Sequence, residues 1–296
     1  GFGRFSALMK TGDPQDARYG YRAPGVPGSV AGLAHAHERW GRLPWARIVE
    51  PARRLAADGV TLSQDEAYAT GWAARMIGRW EAGRAAFYKP DGSSYAAGDL
   101  WRQPDLAWTL EQIQRDGSAA FYTGAVADRI VASMRKHGGL ITHADLAAYR
   151  PLERAPLETE YRGHRIVTMP PPSAGGVMLL EMLNIAEAFD LKASGPNTAA
   201  SLHLMAEAMK LAQLDRTRYI GDPDFSRLPT AQLTSQAYAD SRSALIDPVR
   251  LLPRARLPPG DPWEVEGIDT THFSVVDVEG NVVTNTYTLG SSYGSG

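Results

Sequence analysis

The sequence predicts an α+β protein with a helix-rich first half. Between residues 29 and 149, apolar residues recur at helical spacing in segments parted by single glycines or glycine pairs. Strand-type residues then gather at 157–161 and 164–169, with Arg162-Gly163 as a tight turn between them. A second strand pair occupies residues 269–277 and 282–289. The strands come as local hairpins rather than alternating singly with helices, which is the α+β pattern.

Composition bounds the function. The 296 residues suffice for a large core and one or two domains. Hydrophobic residues at 44% and charged residues at 22% are ordinary for a globular protein. A net charge of -2 excludes a broad basic field, so nucleic acid is not an expected partner. No apolar run reaches the roughly 18 residues that span a bilayer. The absence of cysteine excludes disulfides, zinc–thiolate sites and a cysteine nucleophile, and is silent on compartment.

The elements follow in order. Pro24-Gly25-Val26-Pro27-Gly28 is an irregular turn-forming stretch before a helix. Ser29 is positioned to cap that helix, which runs to Trp40 and stops at Gly41. A second helix covers 46–58 and ends at Gly59; a third starts at Ser63 or Asp65 and reaches about Trp80. His35 and His37 are two apart, point different ways on a helix, and make no metal pair. A turn at 88–94 precedes helices at 105–117 and 125–136, the latter closed by Gly138-Gly139. Thr142 to Asp145 start a short helix that reaches Tyr149.

After the first hairpin, Pro170-Pro171-Pro172-Ser173-Ala174-Gly175-Gly176 opens an apolar helix at 177–189. It reads as a structural corner, and also as a configuration able to present backbone N–H groups. A long helix spans 197–217, where Glu207 and Lys210 are spaced to pair on its surface for about 0.2–0.5 kcal/mol. Asp222 and Asp224 sit in a turn, and nothing nearby completes a cation ligand set. From Ile246 to Gly267, five prolines break regular structure and predict an exposed, extended leader.

The leader runs directly into Asp269-Thr270. If Val278, Glu279 and Gly280 form a three-residue loop with Gly280 left-handed, Asp277 faces Asn281 and Thr270 faces Thr288. A strand pair accounts for this pattern. So does a threonine nucleophile: cutting before Thr270 would give it a free α-amino group, titrating at about 7.7–8.0 in peptides, as general base. Thr288 would then donate to or orient that hydroxyl or amine.

The run Thr270-Thr271-His272-Phe273-Ser274-Val275-Val276-Asp277, with Gly280-Asn281 and Thr286-Tyr287-Thr288-Leu289, resembles the processing and nucleophile region of the γ-glutamyltranspeptidase family. Further motifs match in order: Gly25-Val26-Pro27-Gly28, Gly138-Gly139-Leu140-Ile141-Thr142 with 145–149, Tyr161-Arg162-Gly163, Met169 to Gly176, and Asp215-Arg216 with 221–225.

The resemblance implies an N-terminal-nucleophile hydrolase, an αββα sandwich of a large and a small subunit cut from one precursor between Asp269 and Thr270. Residues 1–269 would be a large-subunit portion with its Pro-rich leader at 246–268, and 270–296 the start of the small subunit. It implies Thr270 as nucleophile, Thr288 as its activator in the substrate site, and Thr286 and position 290 as substrate-binding. Partners would be a small γ-glutamyl substrate of the glutathione type and an amine or peptide acceptor. No cofactor or metal is expected, and the implied location is periplasmic or secreted. The family's arginine for the substrate carboxylate is expected upstream of Gly1, and its acidic pair and Ser-Ser oxyanion residues beyond Gly296. These 296 residues alone are therefore expected to be inactive. The sequence departs from the pattern at Gly290, where the family's Thr-x-Thr-x-Asn ends in glycine. That departure leaves open an acylase for non-glutamyl amides, or a homologue with only a binding role.

Overall fold

The computed structural model describes residues 19–253 and 271–288. The chain divides into two compact units, Gly1–Leu152 with Glu266–Gly296, and Glu153–Val265. The fold is helix-rich α+β, as predicted, and the described strands form three two-stranded antiparallel ladders.

In the first unit the order is α1 (Ser29–Trp40), α2 (Trp45–Asp58), β1 (Val60–Thr61), α3 (Gln64–Ile77), α4 (Glu81–Phe87), β2 (Leu100–Trp101), α5 (Pro104–Asp116), α6 (Ala119–Tyr122), α7 (Ala125–His137) and α8 (His143–Ala148). Helices α2 and α5 pack together. The Trp45 indole donates to the Ile113 carbonyl at 2.8 Å, and the Gln114 amide donates to the Ala46 carbonyl at 2.8 Å. Helix α3 starts with a reciprocal capping box between Ser63 and Glu66, and α8 with one between Thr142 and Asp145. Gly138 closes α7 in the left-handed conformation.

The start of α1 differs from the expectation. Gly28, not Ser29, is its N-cap, and no side chain of the cap contributes. The cap comes from elsewhere: the Tyr122 hydroxyl accepts from the Ala31 N–H at 3.2 Å and donates to the Pro27 carbonyl at 2.7 Å. A Cβ at Gly28 would collide with the Tyr149 hydroxyl. Tyr122 and Tyr149 stack with centroids 5.6 Å apart, above a core of Ala127, Val131, Met134, Ile141 and Leu146. The Gly-Pro stretch is thus shaped by two tyrosines far along the chain, which local capping rules cannot see.

The second unit comprises β3 (Leu157–Tyr161), β4 (His164–Thr168), α9 (Ala174–Ala186), α10 (Leu191–Ser194), α11 (Ala199–Tyr219), α12 (Thr230–Leu233) and α13 (Gln236–Ser243). Strands β3 and β4 pair from Leu157↔Thr168 to Tyr161↔His164. Arg162 and Gly163 both have positive φ, at 51° and 80°, the requirement of a two-residue hairpin turn matching strand twist. Helix α9 rises against the end of β4: a Cβ at Gly176 would overlap the Met169 carbonyl. The 170–176 stretch is therefore a close-packed corner, and Ser173 makes no side-chain cap there.

Two expectations for this unit are corrected. Glu207 and Lys210 do pair, at 2.8 Å, but the Glu207 side chain is 1% exposed. Its other oxygen accepts from the Leu252 N–H at 3.3 Å, and Lys210 donates to the Leu252 carbonyl at 3.3 Å. A helical pair expected in solvent instead holds a distant backbone segment. Correspondingly, the leader is not exposed from its beginning. Ile246 and Leu252 are buried with Ile185, Leu204, Ala208, Leu211 and Ala239, because apolar side chains between prolines still leave water when a helix face receives them. The rest of the leader lies outside the described residues.

Beneath this core is a buried polar group. The Asn184 amide donates to the Thr234 carbonyl at 2.9 Å, and Arg242 approaches Asp215 at 2.6 Å. Burial, and then the neighbouring Asp215 carboxylate, pushes the Glu181 carboxyl up to about 9. Glu181 is thus protonated at neutral pH.

Candidate active site

The hairpin consists of β5 (Thr271–Val276) and β6 (Val282–Tyr287). Its register runs from Thr271↔Tyr287 through His272↔Thr286 and Ser274↔Thr284 to Val276↔Val282, as the sequence predicts. The turn is built as expected, with Gly280 at φ 83°. The Asp277 N–H donates to the Asn281 carbonyl at 3.1 Å, and the Gly280 N–H to the Asp277 carbonyl at 3.1 Å.

The Asp277 carboxylate locks this turn. It accepts from the Asn281 side-chain amide at 2.8 Å and from the Glu279 and Asn281 N–H groups, each at 2.9 Å. These bonds, the Asn281 side chain foremost, hold the carboxyl below its usual range. Arg42 reaches Glu279 at 3.7 Å; both ends are exposed, so the pair adds little.

Facing residues share a face of the pleat. His272, Ser274, Thr284 and Thr286 therefore line one side, and they are joined. His272 Nδ1 lies 2.6 Å from Thr286 Oγ1. Its Nε2 lies 3.2 Å from Thr284 Oγ1 and 3.3 Å from Ser274 Oγ. The Ser274 hydroxyl donates to Thr284 Oγ1 at 3.4 Å. Thr271, Phe273, Val275, Val283, Asn285 and Tyr287 take the other side.

Of the expected site residues, Thr286 is in β6, and Thr288 is the residue directly after β6 and is exposed. Asp269, Thr270 and Gly290 lie outside the described residues. Sequence reasoning missed the imidazole between hydroxyls. The predicted register already placed His272 opposite Thr286, and asking which residues share that face would have found it.

Elsewhere the candidate ligands have other partners. Asp224 pairs with Arg154 at 2.7 Å, Asp222 accepts from the Asp224 N–H at 3.0 Å, and the His37 ring meets the Leu43 carbonyl at 2.7 Å. Among the described residues no helix is long and apolar enough to cross a membrane.

A family model described as Gamma-glutamyltranspeptidase matches residues 4–296. The glutathione hydrolase proenzyme of Escherichia coli K12 is 40% identical over 287 residues, covering 96% of this chain and 49% of its own length. A crystal structure of Helicobacter pylori gamma-glutamyltranspeptidase matches with a TM-score of 0.80 and 37% identity, over 88% of this chain and 75% of that one. A cephalosporin acylase from Bacillus halodurans matches with a TM-score of 0.75 and 33% identity, over 82% and 46% of the two chains. The chain spans about half the length of the curated relatives it matches. Its fold is that of these N-terminal-nucleophile hydrolases.

Proposed function

The chain belongs to the gamma-glutamyltranspeptidase family, and on that footing we propose that the protein is a self-processing amidohydrolase and acyltransferase for γ-glutamyl amides of the glutathione type. The observation that carries the reading is the hairpin register. The observed pairs, which end at Thr271↔Tyr287, agree with the register read from the sequence, in which Thr270 is expected to face Thr288. A threonine nucleophile needs an orienting neighbour of that kind.

In the proposed processing step, Thr270 Oγ attacks the Asp269 carbonyl carbon and the peptide C–N bond breaks. The acyl group moves from nitrogen to oxygen, and water hydrolyses the ester. Asp269 is left as a new C-terminus and Thr270 with a free α-amino group. In turnover that amine takes the hydroxyl proton as Oγ attacks the substrate's γ-carbonyl. The proton passes to the departing amine, and a γ-glutamyl ester remains on Thr270. Water then releases glutamate, or an acceptor amine takes the acyl group. Thr288 orients the nucleophile, while Thr286 and the backbone at Gly290 face the substrate. Large and small subunits would come from one chain, in keeping with the proenzyme name of the E. coli relative. The proposed location is periplasmic or secreted.

One observation favours a second reading. Position 290 is glycine, and a cephalosporin acylase shares the fold, so the same Thr270 chemistry could serve a non-glutamyl amide. A substrate panel separates the two. The full-length protein should turn over γ-glutamyl-p-nitroanilide. Thr270→Ala should abolish cleavage and turnover together, and Thr270→Ser should retain part of each. Full turnover by the alanine variant would refute the assignment.

A further inference from the structure

We infer that His272 is a positioning residue that fixes the Thr286 hydroxyl on the side of the hairpin shared with Thr288. An exposed strand threonine has no need of a side-chain partner, because water satisfies its hydroxyl. Here the ring nitrogen stands 2.6 Å from Thr286 Oγ1, at the short end of the hydrogen-bond range. The ring is itself held from behind, where Nε2 meets Thr284 and Ser274 at 3.2 and 3.3 Å. A neutral imidazole offers one donor and one acceptor, and hydroxyls can match either. The ring thus cannot turn without losing bonds at both nitrogens, and it passes that rigidity to Thr286. Thr288 lies two residues after Thr286, just past the end of β6, and continuing the pleat by that one residue puts it on the same face. Fixing the one hydroxyl fixes the edge of the site beside the other.

The inference rests on the γ-glutamyl chemistry proposed above, with Thr286 facing the substrate. Its test is a double-mutant cycle in the full-length protein, using His272→Ala, Thr286→Ala and both together, read as kcat and KM with γ-glutamyl-p-nitroanilide. His272→Ala should lower kcat/KM roughly tenfold to a hundredfold, the scale of a misplaced contact. The double variant should be no worse than Thr286→Ala alone, since His272 acts through Thr286. His272→Asn keeps a polar group near the Nδ1 position and should recover much of the loss; it also guards against a variant that fails to fold. Losses that multiply in the double variant, or a His272→Ala enzyme within twofold of wild type, would overturn the inference and leave the function standing. A wild-type protein that neither cleaves itself nor turns over the substrate would remove both.

Discussion

Two adjacent glycines at the start of α9 should respond to the same substitution with opposite signs. A Cβ at Gly176 would lie 2.9 Å from the Met169 carbonyl carbon and 3.1 Å from Thr168 Oγ1, and closer still to the Met169 oxygen. Those are mostly backbone atoms, which cannot swing aside, so β4 and α9 must separate. Overpacking of this kind costs about 1–3 kcal/mol. A Cβ at Gly175 would find only Ser173 Oγ, at 3.9 Å. Gly175→Ala should therefore gain about 0.4–1 kcal/mol from a less flexible unfolded chain and a better helix former. The two variants should differ by roughly 1.5–4 kcal/mol, which corresponds to about 3–16 °C in melting temperature at 2–4 °C per kcal/mol. The assay is thermal and urea unfolding of the full-length protein carrying each substitution. Shifts in the same direction would refute the packing argument. A loss of turnover at Gly175→Ala without loss of stability would favour the other reading of this corner, backbone N–H groups presented to a ligand.

Two further perturbations follow from buried polar groups. Tyr122→Phe removes the acceptor of the Ala31 N–H and the donor to the Pro27 carbonyl. It should destabilise by about 1–3 kcal/mol, read in a urea melt, and an unchanged midpoint would show that α1 does not depend on that hydroxyl. Glu181 retains its proton in the folded protein up to about 9, against an ordinary value of 4.5. Its contribution to stability is therefore full below the ordinary value and is lost as pH rises toward the folded one. Glu181→Gln should flatten that decline. Urea midpoints of the two proteins should diverge between about pH 5 and about pH 8.5, and parallel curves would contradict the assignment.

The longer elements were legible because their punctuation is local. Gly41, Gly59 and Gly138 stop helices, Ser63 and Thr142 start them, and Arg162-Gly163 and Gly280 fix two hairpin registers. The short helices at Glu81–Phe87, Ala119–Tyr122, Thr230–Leu233 and Gln236–Ser243 are not legible in the sequence. They span one or two turns, too little for periodicity to speak. Other misses depend on partners distant in sequence. Ser29 looks like a cap until the Tyr122 hydroxyl is seen to bond Ala31 and Pro27 and the Tyr149 hydroxyl to crowd Gly28. Glu207 looks like a surface residue until Leu252 folds over it. At the candidate site, the register followed from strand geometry. The bonds of His272 did not, because they depend on side-chain rotamers that a pleat pattern leaves free.

The proposed chemistry requires the protein itself to cut the bond between Asp269 and Thr270. Intact mass spectrometry of the full-length protein, purified under native conditions, tests it most directly. Two fragments should appear, the smaller beginning at Thr270, and the Thr270→Ala protein should remain one chain. A single uncut wild-type chain, or a cut at another bond, would rule out Thr270 as a self-processing nucleophile.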